Sequence, residues 1–235
     1  MLDSVFKKRP TGIGYTFESL IGKSEDSSQL PDFFGIEIKT KRYNSRKSLS
    51  LFNAAPSGNN DFEIRRLYNN YGYLSPSNKN IKVLFASVYV NRITNIGINY
   101  KFKLKVDHIE RKIFLLVFDR KNILIDKKCY WPFDALSEVL LKKINYLTII
   151  MAKNKFINGI EYFFYDNIIF YKFKGFDYFI KLLESSHIKI NFKVSTHIFG
   201  DKVGKLDNYG TSFHLDLNYL CSLFDIIWNP KWLHC

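Results

Sequence analysis

Cysteine is scarce in this chain. Three occur in 235 residues, Cys129, Cys221 and Cys235, far apart and odd in number. No Cys-x-x-Cys pair is present, which excludes a zinc ribbon and a disulfide framework and fits a reduced cytoplasm. The three read as core residues. Of the five histidines, His108, His187, His197, His214 and His234, none shows paired metal-ligand spacing. No Ser-His-Asp or Cys-His arrangement is visible, and Gly12 and Gly14 fit neither the P-loop nor the dinucleotide pattern. The N-terminus, Met-Leu-Asp-Ser-Val-Phe-Lys-Lys-Arg-Pro, lacks the apolar core of a signal peptide. No uncharged apolar run reaches membrane-spanning length: residues 160–183 are interrupted by Glu161, Asp166, Lys172, Lys174, Asp177 and Lys181. No internal repeat or low-complexity linker is present. These absences predict a cytoplasmic protein with no membrane partner.

Acidic residues are also in short supply. Lysine and arginine number 35 against 22 aspartates and glutamates, a formal net charge of +13 and a pI near 9.5. A protein this basic is built to meet a polyanion, nucleic acid foremost. Part of the lysine excess accompanies abundant Asn, Ile, Phe and Tyr, as in AT-rich coding sequence, and carries no function. What is plentiful is apolar material: 46% hydrophobic and 17% aromatic residues, enough for a packed core and unlike a disordered chain. The length fits one domain with two lobes or two small domains.

The patterning predicts mixed α and β structure around a central sheet. Phe17, Leu20 and Ile21 have the spacing of a short helix, with Glu18 on its other side. Strands are predicted over 35–40 and 48–53, and a helix over 62–71 capped by Asp61. Strands follow over 82–90, 100–106 and 113–119, the last two as a hairpin with Lys103 and Lys105 on its outer face. Trp131-Pro-Phe-Asp leads into a helix ending near 144, buried through Leu136, Val139 and Leu140. Then come a strand over 147–152, two separate strands over 161–165 and 168–173, a helix over 176–184 and a strand over 189–198. A loop is predicted over 200–210, a strand from Thr211, a helix over 216–224 and an aromatic tail from Trp228.

Residues 31–39 carry the chemistry: Pro-Asp-Phe-Phe-Gly-Ile-Glu-Ile-Lys. Alternation over 35–40 is that of a half-buried strand, which turns Glu37 and Lys39 to one face and Ile36 and Ile38 to the core. A turn at Gly35 could fold Asp32 back beside Glu37. Two converging carboxylates suit a hard divalent cation such as Mg²⁺, and a lysine beside them can orient a water. Phosphodiester hydrolysis needs that set. Taken alone, Asp-x₄-Glu-x-Lys is a solvated strand edge in most proteins, so the surrounding chain has to support the reading.

It does so by resemblance. The order Thr-Gly-Ile-Gly-Tyr-Thr-Phe-Glu, Leu-Pro-Asp, Gly-Ile-Glu-Ile-Lys-Thr-Lys-Arg and Ser-Leu-Ser-Leu-Phe, continued by Tyr130-Trp-Pro-Phe-Asp-Ala-Leu and Gly210-Thr-Ser-Phe, resembles the MvaI/BcnI family of restriction endonucleases, relatives of the nicking enzyme MutH. The resemblance covers nearly the whole chain. It implies a PD-(D/E)xK nuclease core (mixed α/β or α+β) with two lobes around a DNA cleft. The catalytic lobe would fall mainly in 1–140 and the DNA-recognition lobe mainly in 141–235. It implies Mg²⁺ held by Asp32 and Glu37, water positioning by Lys39, and Glu18 as an additional acidic residue near the site. It further implies a monomer acting on double-stranded DNA, paired with a DNA methyltransferase in the same system.

DNA contacts are expected from Lys41 and Arg42 in the basic run and from residues 191–214, where Gly204, Gly210, Thr211 and Phe213 keep the family frame. The candidate readers there are Asn191, Lys193, Asp207, Tyr209 and His214. Lys193 and His214 stand where the family has arginine, and Asn191 where it has aspartate. Arginine pairs bidentately with guanine, which neither lysine nor histidine can copy. The implied target is therefore a short site other than CCWGG or CCSGG. Two alternatives share the core: a MutH-like nicking or repair nuclease, and a DNA-binding protein that does not cleave.

Overall fold

The computed structural model describes residues 2–3, 12–22, 30–43, 48–57, 60–197, 201 and 203–230. The chain divides into two units. One comprises Met1–Lys47, Leu140–Gly175 and Leu220–Cys235, and the other Ser48–Val139 and Phe176–Tyr219. One crossing falls between Val139 and Leu140, near the single boundary expected from the sequence. The others follow Lys47, Gly175 and Tyr219, so both units are assembled from separate stretches of chain.

The first unit is built on a five-stranded sheet of β1 (Leu2–Asp3), β2 (Ile36–Arg42), β11 (Tyr146–Ile157), β12 (Ile160–Phe173) and β15 (Phe224–Trp228). Strand β2 lies at its edge and runs parallel to β11, with Glu37 opposite Leu147 and Lys39 opposite Ile149. The other pairings are antiparallel, so the sheet is mixed, as expected. β12 is one strand of fourteen residues where the sequence suggested two. A register shift pairs Met151 with Asn167 and Ala152 with Tyr165, leaving Asp166 as a bulged residue. The bulge interrupts the alternation on which the two-strand reading rested.

Helix α1 (Gly12–Leu20) packs on β2. Its buried face is Gly12, Ile13 and Thr16, while Leu20 is exposed, so the stripe expected from Phe17, Leu20 and Ile21 is rotated. The reason is close approach: a Cβ on Gly14 would stand 3.3 Å from Thr40 Oγ1. Ile13 joins Ala152 and Phe163 in a small core against which Tyr165 packs.

The second unit holds two antiparallel sheets that the expectation of one central sheet did not separate. One runs β3 (Ser48–Asn53), β14 (Leu206–Asp216), β13 (Ile188–Thr196), β5 (Asn78–Val88) and β4 (Tyr73–Ser75). The other contains β6 (Thr94–Ile96), the predicted hairpin β7 (Tyr100–Asp107) and β8 (Lys112–Asp119), β9 (Leu124–Asp126) and β10 (Tyr130–Pro132). Helix α2 (Asn60–Tyr71) begins one residue before Asp61, which lies in its first turn and not at the cap. Helix α4 (Phe176–Glu184) has the predicted bounds.

Three expectations near the C-terminus are corrected. β14 starts at Leu206, inside the segment read as a loop. The helix expected over 216–224 is a 3₁₀ turn, Leu217–Tyr219, and one turn of helix, α5 (Leu220–Leu223). The chain then enters β15, whose last residue is Trp228, so the aromatic tail begins in the sheet. Of the cysteines, Cys129 is buried as expected, Cys221 is exposed, and Cys235 lies outside the described residues. No described helix is long and apolar enough to cross a membrane.

The core of the second unit is aromatic. Trp131 is fully buried, donates its indole N–H to the Ala54 carbonyl at 3.0 Å, and meets the rings of Phe192 and Phe213 edge-on. Trp131→Ala is expected to destabilise the protein by roughly 3–5 kcal/mol, measured by urea denaturation. A loss below about 1 kcal/mol would mean that this cluster is not the core it looks like.

Candidate active site

The site is made by a turn and a strand. Phe33 and Ile36 exchange backbone hydrogen bonds of 3.0 and 2.9 Å around Phe34 and Gly35. Both central residues have positive φ, 46° and 82°, the signature of the tight turns that reverse a chain over two residues. Gly35 adopts this conformation freely. The reversal brings Asp32 to β2, where its Oδ2 accepts the Ile38 N–H at 2.9 Å. Because β2 is an edge strand, that carboxylate completes a backbone donor which would otherwise face water.

Strand alternation sends Glu37, Lys39 and Lys41 to one face. That face is not solvated as expected. Glu37 is only 1% exposed and Lys41 is buried, whereas Ile36 and Ile38 are half-buried. Burying a carboxylate is costly unless cations or donors meet it. Lys39 Nζ hydrogen-bonds Glu37 Oε1. Lys143, in the last turn of α3 (Phe133–Ile144), brings its Nζ to 3.1 Å from Oε2 and donates to the Leu30 carbonyl at 2.9 Å. The Lys143–Oε2 contact is an ion pair without hydrogen-bond alignment, so this buried oxygen still lacks a hydrogen-bond donor.

Asp32, Glu37 and Lys39 are therefore drawn to one short stretch of β2. Glu18 is carried by α1. Its Oε1 lies 3.7 Å from where a Cβ on Gly14 would sit, in the packing of α1 beside Thr40. By alternation Thr40 is on the opposite face of β2 from Glu37. Arg42 is also on that face, bidentate to Glu161 at 2.9 and 3.0 Å and 5.1 Å from the Phe163 ring. Burial holds the Lys41 ammonium below the usual lysine range. Sequence reasoning missed Lys143, whose only signal was a basic residue at a helix C-terminus, an ordinary complement to the helix dipole.

One carboxylate on β2 and a second hydrogen-bonded to that strand fit a divalent cation whose remaining ligands are waters and phosphate oxygens. The hydrogen-bond vacancy on Glu37 Oε2 is in keeping with such a ligand. Among the described residues, no three His, Cys, Asp or Glu side chains converge on a metal site.

The other expected site residues lie in the second unit, where Asn191, Lys193, Asp207 and His214 share one face of the β3–β14–β13–β5–β4 sheet and Tyr209 belongs to β14. The register sets His214 opposite Lys189 and Ser50, Asn191 opposite Ser212 and Ser87, and Lys193 opposite Phe85. The inward positions Ile190, Phe192, Val194, Phe213 and Leu215 are buried. A bulge sets Tyr209 and Gly210 against Lys193, and beyond it Asp207 returns opposite Ser195. Gly210, with φ 76°, supplies the required backbone. Asn191 Oδ1 accepts from Ser87 Oγ at 2.7 Å, and Asp207 Oδ1 lies 3.7 Å from His197 Nε2. His214 Nε2 is 3.0 Å from Ser212 Oγ. The result is a polar, half-exposed sheet face over an apolar one.

The chain matches the model of the MvaI/BcnI restriction endonuclease family over residues 2–224. It belongs to that family. It is accordingly a type II restriction endonuclease, a site-specific deoxyribonuclease, and such enzymes generally use divalent metal ions. The structure is similar to that of restriction endonuclease MvaI in complex with its cognate DNA substrate, with a TM-score of 0.86 and 32% identity, covering 95% of this chain and 90% of that one. It is also similar to MvaI in the absence of DNA, with a TM-score of 0.61 and 27% identity over 89% of this chain and 81% of that one. No curated protein matches.

Burial first, and then the nearby Lys189 charge, lower the His214 pKa to about 4 from 6.5. An unfolded histidine takes up its proton below pH 6.5, whereas the folded one does so only near pH 4. His214 therefore contributes stability that is full above pH 6.5 and is lost as pH falls towards 4. Allowing for solvent screening, the loss is on the order of 1–2 kcal/mol. His214→Gln is expected to flatten the dependence of the urea midpoint on pH across that window. An unchanged slope would contradict the assignment.

Proposed function

We propose that this chain is an Mg²⁺-dependent endonuclease that cuts both strands of double-stranded DNA at a short specific site. The observation carrying this reading is the Asp32 carboxylate locked onto β2 one residue beyond a buried Glu37 that is already paired with Lys39. Asp32 and Glu37 would hold the cation. When bound, it supplies positive charge to the phosphate oxygens and lowers the pKa of its water.

The chain's own residues do the rest. Lys39, held on Glu37 Oε1, would orient the attacking water with its ammonium. The Asp32–Ile38 bond fixes one carboxylate to the strand that carries the other, so the geometry is set before DNA arrives. Water attacks phosphorus and gives up one proton to solvent, the P–O bond to the leaving sugar oxygen breaks, and that oxygen takes a proton from solvent. Glu18 contributes from the α1 side as an outer acidic group. Lys41 and Arg42 brace β2, one buried on the catalytic face and the other clamped to Glu161.

Base reading belongs to the polar face of the second unit. Asn191, Lys193, Asp207, Tyr209 and His214 are its candidate readers. Lys193 and neutral His214, where the family has arginine, cannot copy an arginine fork, which favours a target other than CCWGG or CCSGG. The protein acts as a monomer in the cytoplasm, beside a DNA methyltransferase that protects host sites.

Incubation with unmodified phage DNA and Mg²⁺ is expected to yield discrete fragments. Glu37→Ala and Asp32→Asn should each lower the rate by at least about 10³-fold with the fold retained, the size of effect that several kcal/mol of lost charge stabilisation carries. Full activity in Glu37→Ala would refute the site. Accumulation of open-circular plasmid as the end product would assign nicking instead, and DNA binding without cleavage would leave a binding protein.

A further inference from the structure

Lys143 belongs to no pattern that the proposed mechanism uses, yet it touches both halves of the site. Its Nζ is 3.1 Å from Glu37 Oε2 and 2.9 Å from the Leu30 carbonyl, two residues before Asp32. Its side chain is only 18% exposed and that of Glu37 only 2%, so their mutual field is weakly screened. With Lys39 on Oε1, two ammonium groups share one carboxylate. With Asp32 and Glu37 set against Lys39 and Lys143, the two lysines already balance both carboxylates before any cation binds, while Glu37 Oε2 accepts no hydrogen bond. A divalent cation bound to Glu37 would meet both lysines. Lys39 is held by a hydrogen bond to the same carboxylate. Lys143 has only an unaligned ion pair there, and its hydrogen bond goes to Leu30.

We propose that Lys143 is a positioning residue that stands in for the divalent cation at Glu37 Oε2, tethering the Leu30–Asp32 segment to β2 and competing with the metal for the carboxylate. The inference rests on the reading of Asp32 and Glu37 as the cation site. The competition is electrostatic: removing the Lys143 charge takes away a repulsion a few ångströms from the incoming ion.

The test is Mn²⁺ binding without DNA, followed by loss of the free-ion electron paramagnetic resonance signal. Lys143→Met is expected to bind Mn²⁺ about tenfold more tightly than the natural chain. Lys143→Arg, which keeps the charge, should bind as the natural chain does. Should the methionine variant fold poorly, Lys143→Gln serves in its place, because its amide can still donate to Leu30. Unchanged or weaker Mn²⁺ binding in the uncharged variants overturns the proposal. A purely structural lysine would lower thermal stability in all of them and leave the Mn²⁺ affinity unmoved, which overturns it equally. Glu37→Gln separates the two levels of inference. Mn²⁺ binding lost in Glu37→Gln but equal in Lys143→Met and the natural chain sinks only the role of Lys143. Mn²⁺ binding unaffected by Glu37→Gln sinks the cation site itself, and the competition with it.

Discussion

A carboxylate taken out of water has to be met by cations or donors, and in this protein the constraint is concentrated on Glu37. With 1% of its surface exposed, an uncompensated charge there would cost several kcal/mol. The surroundings can be read as the answer to that cost. Lys39 reaches it along the same strand, and Lys143 reaches it from the end of α3. The Asp32 turn closes the strand edge beside it. β11 runs parallel alongside and packs Leu147 and Ile149 on the same face. A site assembled this way holds its charges fixed before substrate arrives, and that is the form in which electrostatics accelerates a reaction most.

The two units are assembled from interleaved stretches of chain and not divided at one point in the sequence. The strand that carries Glu37 and Lys39 comes from the N-terminal stretch, but the neighbouring strand β11 and the lysine that reaches Glu37 come from residues after 139. The polar sheet face likewise joins β3, β13, β14 and β5, drawn from both sides of residue 139. Long-range pairing thus builds each surface. Fold and chemistry are connected through register: a one-residue slip of β14 against β13 would turn His214 inward and Phe213 outward.

Much of this was legible in the chain. The alternation over β2, the hairpin of β7 and β8 and the helix α4 carry strong local signals, and the Asp32, Glu37 and Lys39 spacing, ambiguous by itself, gained weight from the family-like order of motifs around it. What was not legible depends on partners distant in sequence. The depth of Glu37 burial comes from a parallel neighbour more than one hundred residues away. Asp166 bulges out of β12 and so disguises one strand as two. Residues 224–228 become a strand only because β12 offers an edge. Lys143 reads as a helix-end charge until tertiary structure brings Glu37 to it. The rotated face of α1 follows from the contact of Gly14 with Thr40, which local periodicity does not encode.

The central claim is that Asp32 and Glu37 together hold one divalent cation beside Lys39. Anomalous diffraction from crystals of the protein with DNA and Mn²⁺ tests it most directly. The account predicts a manganese peak within bonding distance of carboxylate oxygens from both residues, with Lys39 adjacent. A peak at other side chains, or Glu37 still held by both lysines in crystals saturated with Mn²⁺, would contradict it.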